Sequence, residues 1–260
     1  MIKGQAPGTI LQFMFIRNRL KRIVKKSSTF IEVGSGNGFL SNLLLKQGYI
    51  GTGVDLNSSA CENNLTLNQN FIDQKKYFIL NADFNSQSEN NFDFLICAMV
   101  IEHINDTELK VFLDKAKRSI KPNGRLIFLV PSNMHAWGIE DVIAGHVKRY
   151  SFSEIQIMAL NNELNVEFKC GLNYPISNWL LKLSNRIVNK NERYLITKSE
   201  QERTVYTGNR NVKFKTVFPK YFNVILNEIV LYPFYLLQLI NYKNEKSLIM
   251  YFELSLKSKS

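Results

Sequence analysis

Three alternating glycines lie between an apolar stretch and the start of a predicted helix. The segment reads Phe30-Ile-Glu-Val-Gly-Ser-Gly-Asn-Gly-Phe39, and Asp55 follows seventeen residues after Gly38, at the end of a second apolar stretch. Glycine lets the backbone turn sharply and approach a bulky ligand closely. A carboxylate about twenty residues further on is placed to hold a ribose diol. The pattern predicts a cofactor site at the carboxyl edge of a parallel sheet.

The spacing of the glycines bears on which cofactor binds. A dinucleotide site needs glycine at the first, third and sixth positions, but here the sixth position is Phe39. Glu32 stands two residues before the first glycine, where its carboxylate would repel a pyrophosphate and attract an ammonium or a sulfonium group. The sequence therefore favours a cationic ligand over a dinucleotide.

A second group of chemically capable residues follows later in the chain. His103 comes after a predicted strand, and the segment Asp141-Val-Ile-Ala-Gly-His-Val-Lys-Arg-Tyr-Ser151 follows another. Histidine has a reference pKa near 6.5 and can accept a proton at neutral pH. The candidate catalytic residues are His103, Asp141, His146, Arg149 and Tyr150.

Composition limits the class of protein. The chain has 260 residues, which is long enough for one α/β domain and a modest appendage. Its hydrophobic content of 45% and charged content of 21% are ordinary for a soluble globular protein. Its three widely spaced cysteines form no disulfide or zinc pattern, and no signal peptide is evident, so we expect a cytoplasmic protein. The net charge of +11 favours anionic partners without choosing among them.

Strands and helices alternate through the middle of the chain, which predicts an α/β fold with a doubly wound, mostly parallel sheet. A basic amphipathic helix over 10–26 precedes it, and either packs on the sheet edge and covers the cofactor or lies on a membrane. The predicted units are an N-terminal helical unit (1–26), a cofactor-binding core (27–170), a helical insertion (171–246) and a terminal sheet strand (247–260).

The insertion is first basic and then apolar. Arg203, Arg210, Lys213 and Lys215 lie in the basic half, whereas residues 221–240 are mainly apolar and aromatic. Polar residues and Pro233 interrupt the apolar half too often for a membrane-spanning helix. Two interpretations stay open for it, namely a helix buried on the sheet or against a second copy of the chain, and a helix lying in a membrane interface.

The order Glu-x-Gly-x-Gly-x-Gly followed by an aspartate after the second strand resembles the class I S-adenosylmethionine-dependent methyltransferases. The resemblance implies a seven-stranded Rossmann-like sheet closed by an antiparallel strand, and S-adenosylmethionine as the cofactor. It implies that the methionine part of the cofactor contacts Glu32, Gly34, Ser35, Gly36, Asn37 and Gly38, and that its ammonium group contacts the backbone of Cys97, Ala98 and Met99. It also implies that the ribose contacts Asp55, and that the adenine contacts Leu56, Asn57, Asp83 and Phe84.

The segment around His146 is similar to Gly-His-x-Arg-Arg-Tyr-Ser in many members of this family, with Lys148 in place of the first arginine. The resemblance implies a lid over the acceptor pocket, with His146 or His103 as the base. It also implies a bacterial enzyme that methylates a small-molecule, glycan or lipid-linked acceptor, with oxygen as the expected atom.

Two alternatives accompany this prediction. Small-RNA 2′-O-methyltransferases resemble the chain at Glu102, His103 and His146, but Met99 replaces the first glutamate of their metal site. A thioether is a poor ligand for a hard cation, and no RNA-binding signature is present, so we predict no metal and no nucleic-acid partner. The other alternative is a non-catalytic subunit that serves as a scaffold.

Overall fold

The computed structural model describes residues 4–88, 90–198 and 218–257, together with Arg203, Tyr206, Val212, Lys215 and Thr216. A seven-stranded sheet in the order β3-β2-β1-β4-β5-β7-β6 forms its centre. Strands β1 to β5 are parallel, and β7 is antiparallel to both β5 and β6. The strands are β1 Thr29–Val33, β2 Ile50–Asp55, β3 Tyr77–Asn81, β4 Phe92–Ala98, β5 Ile120–Pro131, β6 Leu164–Leu172 and β7 Ile249–Leu256.

Helices cover both faces of this sheet, which confirms the predicted doubly wound α/β fold. The helices are α1 Pro7–Ile23, α2 Phe39–Leu45, α3 Ser58–Asp73, α4 Asp106–Ser119, α5 Ile139–Ala144, α6 Phe152–Asn161, α7 Ile176–Glu192 and α8 Tyr232–Ile240. Side chains of β4 alternate between the two faces: Phe94 and Ile96 join the core with α1, α2 and α7, whereas Leu95 and Cys97 join the core with α4 and α6.

The register of the central strands determines which loops meet. Val33 at the end of β1 pairs with Val54 of β2 on one side and with Cys97 of β4 on the other. Because parallel strands end at the same edge of a sheet, the glycine loop, Asp55 and Met99 lie side by side. The predicted cofactor residues are therefore neighbours at the carboxyl edge.

Helix α1 packs on the sheet with its apolar side. Ile10, Leu11, Met14, Phe15, Ile16 and Leu20 are buried in the core. Arg19 pairs with the buried Glu253 of β7 through two hydrogen bonds of 2.6 and 2.9 Å. The helix therefore packs on the protein and not on the predicted edge of the sheet: it lies over the face of the sheet near β7, which is an interior strand. Its first residues border the chamber described below.

The apolar half of the insertion is not one helix, which corrects the prediction for residues 221–240. A 3-10 helix over Lys220–Val224 and α8 are separated by a turn at Asn227. The Asn227 amide donates to the carbonyls of Asn223 and Val224, and its oxygen accepts from the amides of Ile229 and Val230. Asn227 therefore closes the turn. Pro233 lies in the first turn of α8, where its missing amide hydrogen costs no helical hydrogen bond.

In the basic half, Arg210 and Lys213 lie outside the described residues, as do residues 1–3 and 258–260 at the ends. Arg203 donates to the carbonyl of Val142 at 2.6 Å, and Lys215 pairs with Glu140 at 3.0 Å. Both contacts join this half to α5. None of the helices in the described part of the chain is both long and apolar enough to cross a bilayer.

Candidate functional site

The glycine loop needs all three of its glycines, for two different reasons. Gly34, Gly36 and Gly38 have φ angles of +73, +48 and +78, which disfavour other residues. A Cβ on Gly38 would lie 2.1 Å from the side chain of Asn64, and one on Gly34 would lie 2.3 Å from Val100. Space is open around the Cβ position of Gly36. The outer glycines therefore permit packing, and the middle one leaves room for a ligand.

Asp55 connects the second strand to this loop. One carboxylate oxygen accepts from the amide of Gly36 at 2.7 Å, and the other from the amide of Asn57 at 2.8 Å. The carboxylate is only partly buried and stands beside the open space at Gly36. A partly exposed acceptor next to an unfilled glycine cradle fits a ligand that carries a hydroxylated sugar.

Glu32 lies behind the glycine loop and not in the open cleft. Its side chain is buried and accepts a hydrogen bond from Ser41, whose hydroxyl also lies 2.6 Å from that of Tyr77. Burial raises the pKa of Glu32 to about 8, although the bond from Ser41 acts against this rise. The predicted direct contact between Glu32 and a cationic ligand is therefore not supported by this placement.

Sequence reasoning missed the polar network around Glu32. Asn64 and Asn68 are fully buried on α3; Asn64 donates to Ser35 and Tyr77, and Asn68 donates to the carbonyl of Gly38. Two asparagines four residues apart on the buried face of a helix were a readable signal, because buried amides need partners. This network supports the glycine loop from below.

The residues expected around adenine are only partly placed for that role. Leu56 is 75% exposed, and Asn57 caps α3 by accepting from the amide of Ala60. Asp83 is exposed and caps a short 3-10 helix, with an oxygen 3.0 Å from the amide of Asn85. Phe84 is buried with its ring 5.4 Å from that of Phe112, so it is a core residue, contrary to the expected adenine contact.

The remaining cofactor candidates border the loop. Asn37 accepts a hydrogen bond from Asn63, Cys97 is buried in β4, and Ala98 ends that strand. Met99 follows with a φ of +59, an uncommon angle for a residue with a side chain. Strained backbone of this kind concentrates at functional sites. The positive φ of Met99 therefore points to a functional role for the end of β4. The sequence pattern gave no sign of this angle.

Asp141 holds two of the predicted catalytic residues at once. It accepts from Nδ1 of His146 at 2.8 Å, and from Nε and Nη2 of Arg149 at 2.8 and 3.0 Å. Arg149 also donates to the carbonyl of Ser132. Burial would raise the pKa of Asp141, but these hydrogen bonds outweigh it and lower the pKa below its usual value. Asp141 is therefore ionised and orients the His146 ring, while Arg149 has a positioning role.

Tyr150 does not take part in this group, which corrects its prediction as a catalytic residue. Its hydroxyl donates to the carbonyl of Ile101 at 3.0 Å, and its side chain is buried in the core on the α4 and α6 side of the sheet. Burial raises its pKa far above the usual value. The tyrosine therefore anchors the segment structurally.

Glu102 and the two candidate histidines meet at the end of β4. The rings of His103 and His146 are 4.9 Å apart between centroids, and Nε2 of His146 lies 3.9 Å from a carboxylate oxygen of Glu102. Burial raises the pKa of Glu102 to about 8. Burial, followed by the charge of His146, lowers the pKa of His103 to about 4, so His103 is neutral at pH 7.

A chamber of about 790 Å³ opens beside this group. It lies between the start of α1, helix α7 and the segment from Phe218 to Leu226, and its lining is mainly apolar. Met99 and His146 border it together with Asp141 and Arg149. The chamber thus joins an apolar space to the edge of the sheet that carries the glycine loop.

The comparisons with known proteins agree with this geometry. A family model described as "Methyltransferase domain" matches residues 11–167. Among curated proteins, the ubiquinone biosynthesis O-methyltransferase of Pasteurella multocida is 30% identical over 129 residues, which cover 45% of this chain and 52% of the relative. The protein of the same name from Coxiella burnetii RSA 493 is 29% identical over 112 residues, covering 42% and 45%. This chain spans about half the length of these relatives.

Solved structures show the same fold. The magnesium protoporphyrin IX methyltransferase of Synechocystis PCC 6803 with bound S-adenosylhomocysteine aligns with a TM-score of 0.55 at 15% identity, covering 64% of this chain and 77% of that one. The 1,6-didemethyltoxoflavin-N1-methyltransferase of Burkholderia thailandensis aligns with a TM-score of 0.54 at 15% identity, covering 63% and 72%. At these identities the likeness concerns the fold alone.

Proposed function

Because the chain belongs to the class I S-adenosylmethionine-dependent methyltransferases, we propose that it transfers a methyl group to a hydroxyl oxygen of a small molecule that carries an apolar chain. The observation that carries this proposal is the apolar chamber, which reaches Met99 and His146 at the edge of the sheet where the glycine loop stands. A donor and an acceptor bound there would lie next to each other, and positioning supplies much of the catalysis of a displacement reaction.

The donor part of the proposal rests on the glycine loop and Asp55. When bound, S-adenosylmethionine supplies a methyl group on a positively charged sulfur. Asp55 holds the ribose hydroxyls, and the open space at Gly36 admits the cofactor close to the backbone. The carboxylate of Asp55 is already oriented by the amides of Gly36 and Asn57, so little order remains to be gained on binding.

The acceptor part rests on the two kinds of lining in the chamber. Leu181, Ile187, Phe218 and Leu226 are among its apolar walls, while Asp141, His146 and Arg149 form a polar cluster joined by hydrogen bonds. A ligand with an apolar chain and a hydroxylated head matches this arrangement. The relatives named ubiquinone biosynthesis O-methyltransferase support transfer to oxygen. The lining favours a lipid-linked acceptor over a free glycan or an RNA chain.

Removing the hydroxyl proton is the second task of the site. His146 borders the chamber and contacts His103 and Glu102. Asp141 fixes the His146 ring so that Nε2 is the nitrogen available to the acceptor. We assign deprotonation of the acceptor to this cluster, with Arg149 holding Asp141 in place.

The surface around the chamber suits delivery of the acceptor from a membrane. Val224, Ile229 and Ile240 are 76%, 71% and 77% exposed, and Tyr221 and Tyr232 are exposed beside them. Lys220 and Lys243 flank this stretch, and basic residues attract anionic lipids. We propose peripheral contact of residues 221–240 with the inner face of the membrane, with Phe222 and Leu226 of the same stretch lining the chamber.

Labelled methyl transfer tests the proposal. We expect transfer from S-adenosylmethionine to a phenol with an isoprenoid chain, and weaker transfer to the same phenol without the chain. Leu181→Trp narrows the chamber and should raise KM for the long-chain phenol roughly tenfold without changing donor affinity, whereas Leu160→Trp, at an exposed position on α6, should change neither value.

Calorimetry of the donor completes this test. S-adenosylmethionine should bind the wild-type protein, and Asp55→Ala should weaken the affinity at least about tenfold, since two hydrogen bonds to the ribose are lost. Donor binding without transfer to either phenol would contradict the acceptor class. No donor binding at all would contradict the enzyme and support the scaffold alternative.

A further inference from the structure

No other residue that the structure describes donates a hydrogen bond to the buried carboxylate of Glu102. Its side chain is 0% exposed, and the only donor near its oxygens among the described residues is the backbone of Glu102 itself. A buried carboxylate without a partner is costly, and such groups in native proteins usually bind an ion or a water. Protonation alone does not resolve this, because a protonated carboxyl needs an acceptor, and Nε2 of His146 is 3.9 Å away, beyond hydrogen-bond distance.

The two histidines beside Glu102 are held in the same manner. Nδ1 of His146 bonds to a carboxylate oxygen of Asp141 at 2.8 Å, and Nδ1 of His103 lies 3.3 Å from the carbonyl of Gly145. Among the described residues, Nε2 of each ring therefore has no hydrogen-bond partner. Metal-binding histidines are typically oriented in this way, with one nitrogen bonded to a carboxylate or carbonyl and the other bound to the ion.

One ligand atom from each of Glu102, His103 and His146 lies within 4.8 Å of the others. Ligand atoms around a first-row metal lie about 3 to 3.5 Å apart, given bonds of about 2.1 Å. Binding would therefore shorten the separations between the three ligand atoms by no more than about 1.8 Å. The side-chain carboxylate and two imidazoles form a mixed oxygen and nitrogen set, which suits Mn²⁺, Fe²⁺, Co²⁺ or Zn²⁺ better than Mg²⁺ or Ca²⁺.

We infer that Glu102, His103 and His146 form a binding site for a divalent transition-metal ion at the border of the chamber. Three protein ligands leave coordination positions open, as in catalytic metal sites. Met99 in place of a fourth ligand, from which we predicted no metal, therefore does not prevent binding.

The role of the metal ion rests on the proposed function. Held by Glu102, His103 and His146, the ion would lower the pKa of an acceptor hydroxyl in an open coordination position, and that hydroxyl would lose its proton to solvent water. The oxygen then forms its bond to the methyl carbon while the carbon–sulfur bond breaks and its electron pair stays on sulfur. When the ion is bound, Nε2 of His146 is a ligand, so the ion replaces His146 in the deprotonation that the proposed function assigns to the metal-free cluster.

Calorimetry with Mn²⁺ tests the site without donor or acceptor. The full chain, stripped with a chelator, should bind one Mn²⁺, and Co²⁺ should give the visible absorption of a bound ion. Glu102→Gln and His103→Gln should each weaken Mn²⁺ binding by 10-fold or more (about 10- to 100-fold). His135→Gln changes the only other histidine, which is exposed, and should leave binding unchanged.

Thermal unfolding provides a second measurement if a variant folds poorly. Mn²⁺ should raise the Tm of the wild-type and His135→Gln proteins, but not that of whichever ligand variant folds. If the wild-type protein bound neither Mn²⁺ nor Co²⁺, or if all variants bound the ion as tightly as the wild type, the proposed metal site would be wrong. Methyl transfer that persists in excess chelator would overturn the role of the ion and leave the proposed function intact. Metal binding without any methyl transfer would instead contradict the proposed function and leave the site intact.

Discussion

Glu32 and Glu102 are two buried glutamates of one site with different surroundings. Glu32 accepts a hydrogen bond from Ser41 within a network of hydroxyls and amides, whereas Glu102 has no donor in any other residue that the structure describes. Burial raises the pKa of both to about 8. Glu32 therefore serves as a proton-holding support of the glycine loop, and the unpartnered Glu102 is the one available to an added ligand.

The raised pKa of Glu32 predicts a pH dependence of stability. The folded state keeps the proton up to about pH 8, whereas the unfolded chain releases it near pH 4.5, so stability is full below pH 4.5 and is lost as the pH rises towards 8. Urea unfolding of Glu32→Gln should therefore show a free energy that falls less steeply between pH 5.5 and 7.5 than that of the wild type, by up to about 1.4 kcal/mol per pH unit.

The exposed Glu62 provides the control for this measurement. Glu62→Gln should follow the wild-type curve, because the carboxylate of Glu62 is in contact with water in the folded protein as it is in the unfolded chain. Equal pH slopes for Glu32→Gln and the wild type would show that Glu32 is ionised in the folded protein.

The sequence predicts those residues of the site whose type and spacing form a local pattern, but not the direction in which each side chain points. The glycine loop and Asp55 were found because backbone turns and strand ends leave a local pattern. The burial of Glu32 and Phe84, and the direction of Tyr150 into the opposite core, depend on packing against α3 and α4. Such side-chain directions are set by contacts distant in sequence, which no local pattern encodes.

At the scale of elements, α1 shows how similar residues acquire different roles. Arg17 and Arg19 both belong to the basic face that the sequence revealed. Arg17 pairs at 2.6 Å with Glu228, whose side chain is 16% exposed. Arg19 instead holds the fully buried Glu253 with two hydrogen bonds and stacks 4.1 Å above the ring of Phe168. Only the second contact fixes α1 to the sheet.

This difference predicts unequal costs of substitution. Arg19→Leu leaves Glu253 buried with the hydroxyl of Tyr251 as its close donor, and should lower the free energy of unfolding by about 2 to 4 kcal/mol. Arg17→Leu should cost less, about 1 kcal/mol, because its partner Glu228 is 16% exposed and can regain water, whereas Glu253 is fully buried. Urea denaturation of both variants at one pH measures the difference, and equal costs would show that Glu253 does not depend on Arg19.

The elements themselves were largely predictable from sequence. Residues 94–98 of β4 and 126–130 of β5 are continuous apolar runs, as expected for strands of a parallel sheet covered on both faces. The prediction of one helix over 221–240 was wrong. The apolar composition of this stretch favours a helix throughout, whereas the four hydrogen bonds of Asn227 stabilise a turn. A polar residue that satisfies its own local backbone overrides composition.

At the scale of the molecule, the apolar chamber and the exposed apolar stretch share one side. Leu226 and Leu231 pack in the core with α1 and α7, whereas Val111 of α4 and Ile157 of α6 are exposed on the opposite side of the sheet. An acceptor dissolved in a membrane would reach the chamber from the first side only. The position of residues 221–240 beside the chamber therefore favours contact with the membrane that holds the acceptor, over a contact that plays no part in acceptor binding.

Vesicles that contain the acceptor provide the matching prediction. The wild-type protein should float with anionic phosphatidylglycerol vesicles and methylate a long-chain phenol within them. Val224→Asp/Ile229→Asp adds two anionic groups to the contact and should reduce flotation and vesicle activity roughly tenfold or more, since both apolar burial and charge attraction are lost. Activity on a short-chain phenol in solution should stay unchanged, because neither residue lines the chamber.

Val111→Asp/Ile157→Asp makes the same chemical change on the opposite side, at positions 54% and 57% exposed, and should float and turn over like the wild type. Equal loss in both double variants would indicate a general charge effect. Unchanged flotation of Val224→Asp/Ile229→Asp, with a shift from dimer to monomer in light scattering, would assign the stretch to a second copy of the chain. The membrane interpretation requires that flotation and vesicle activity fall together while the protein keeps its oligomeric state.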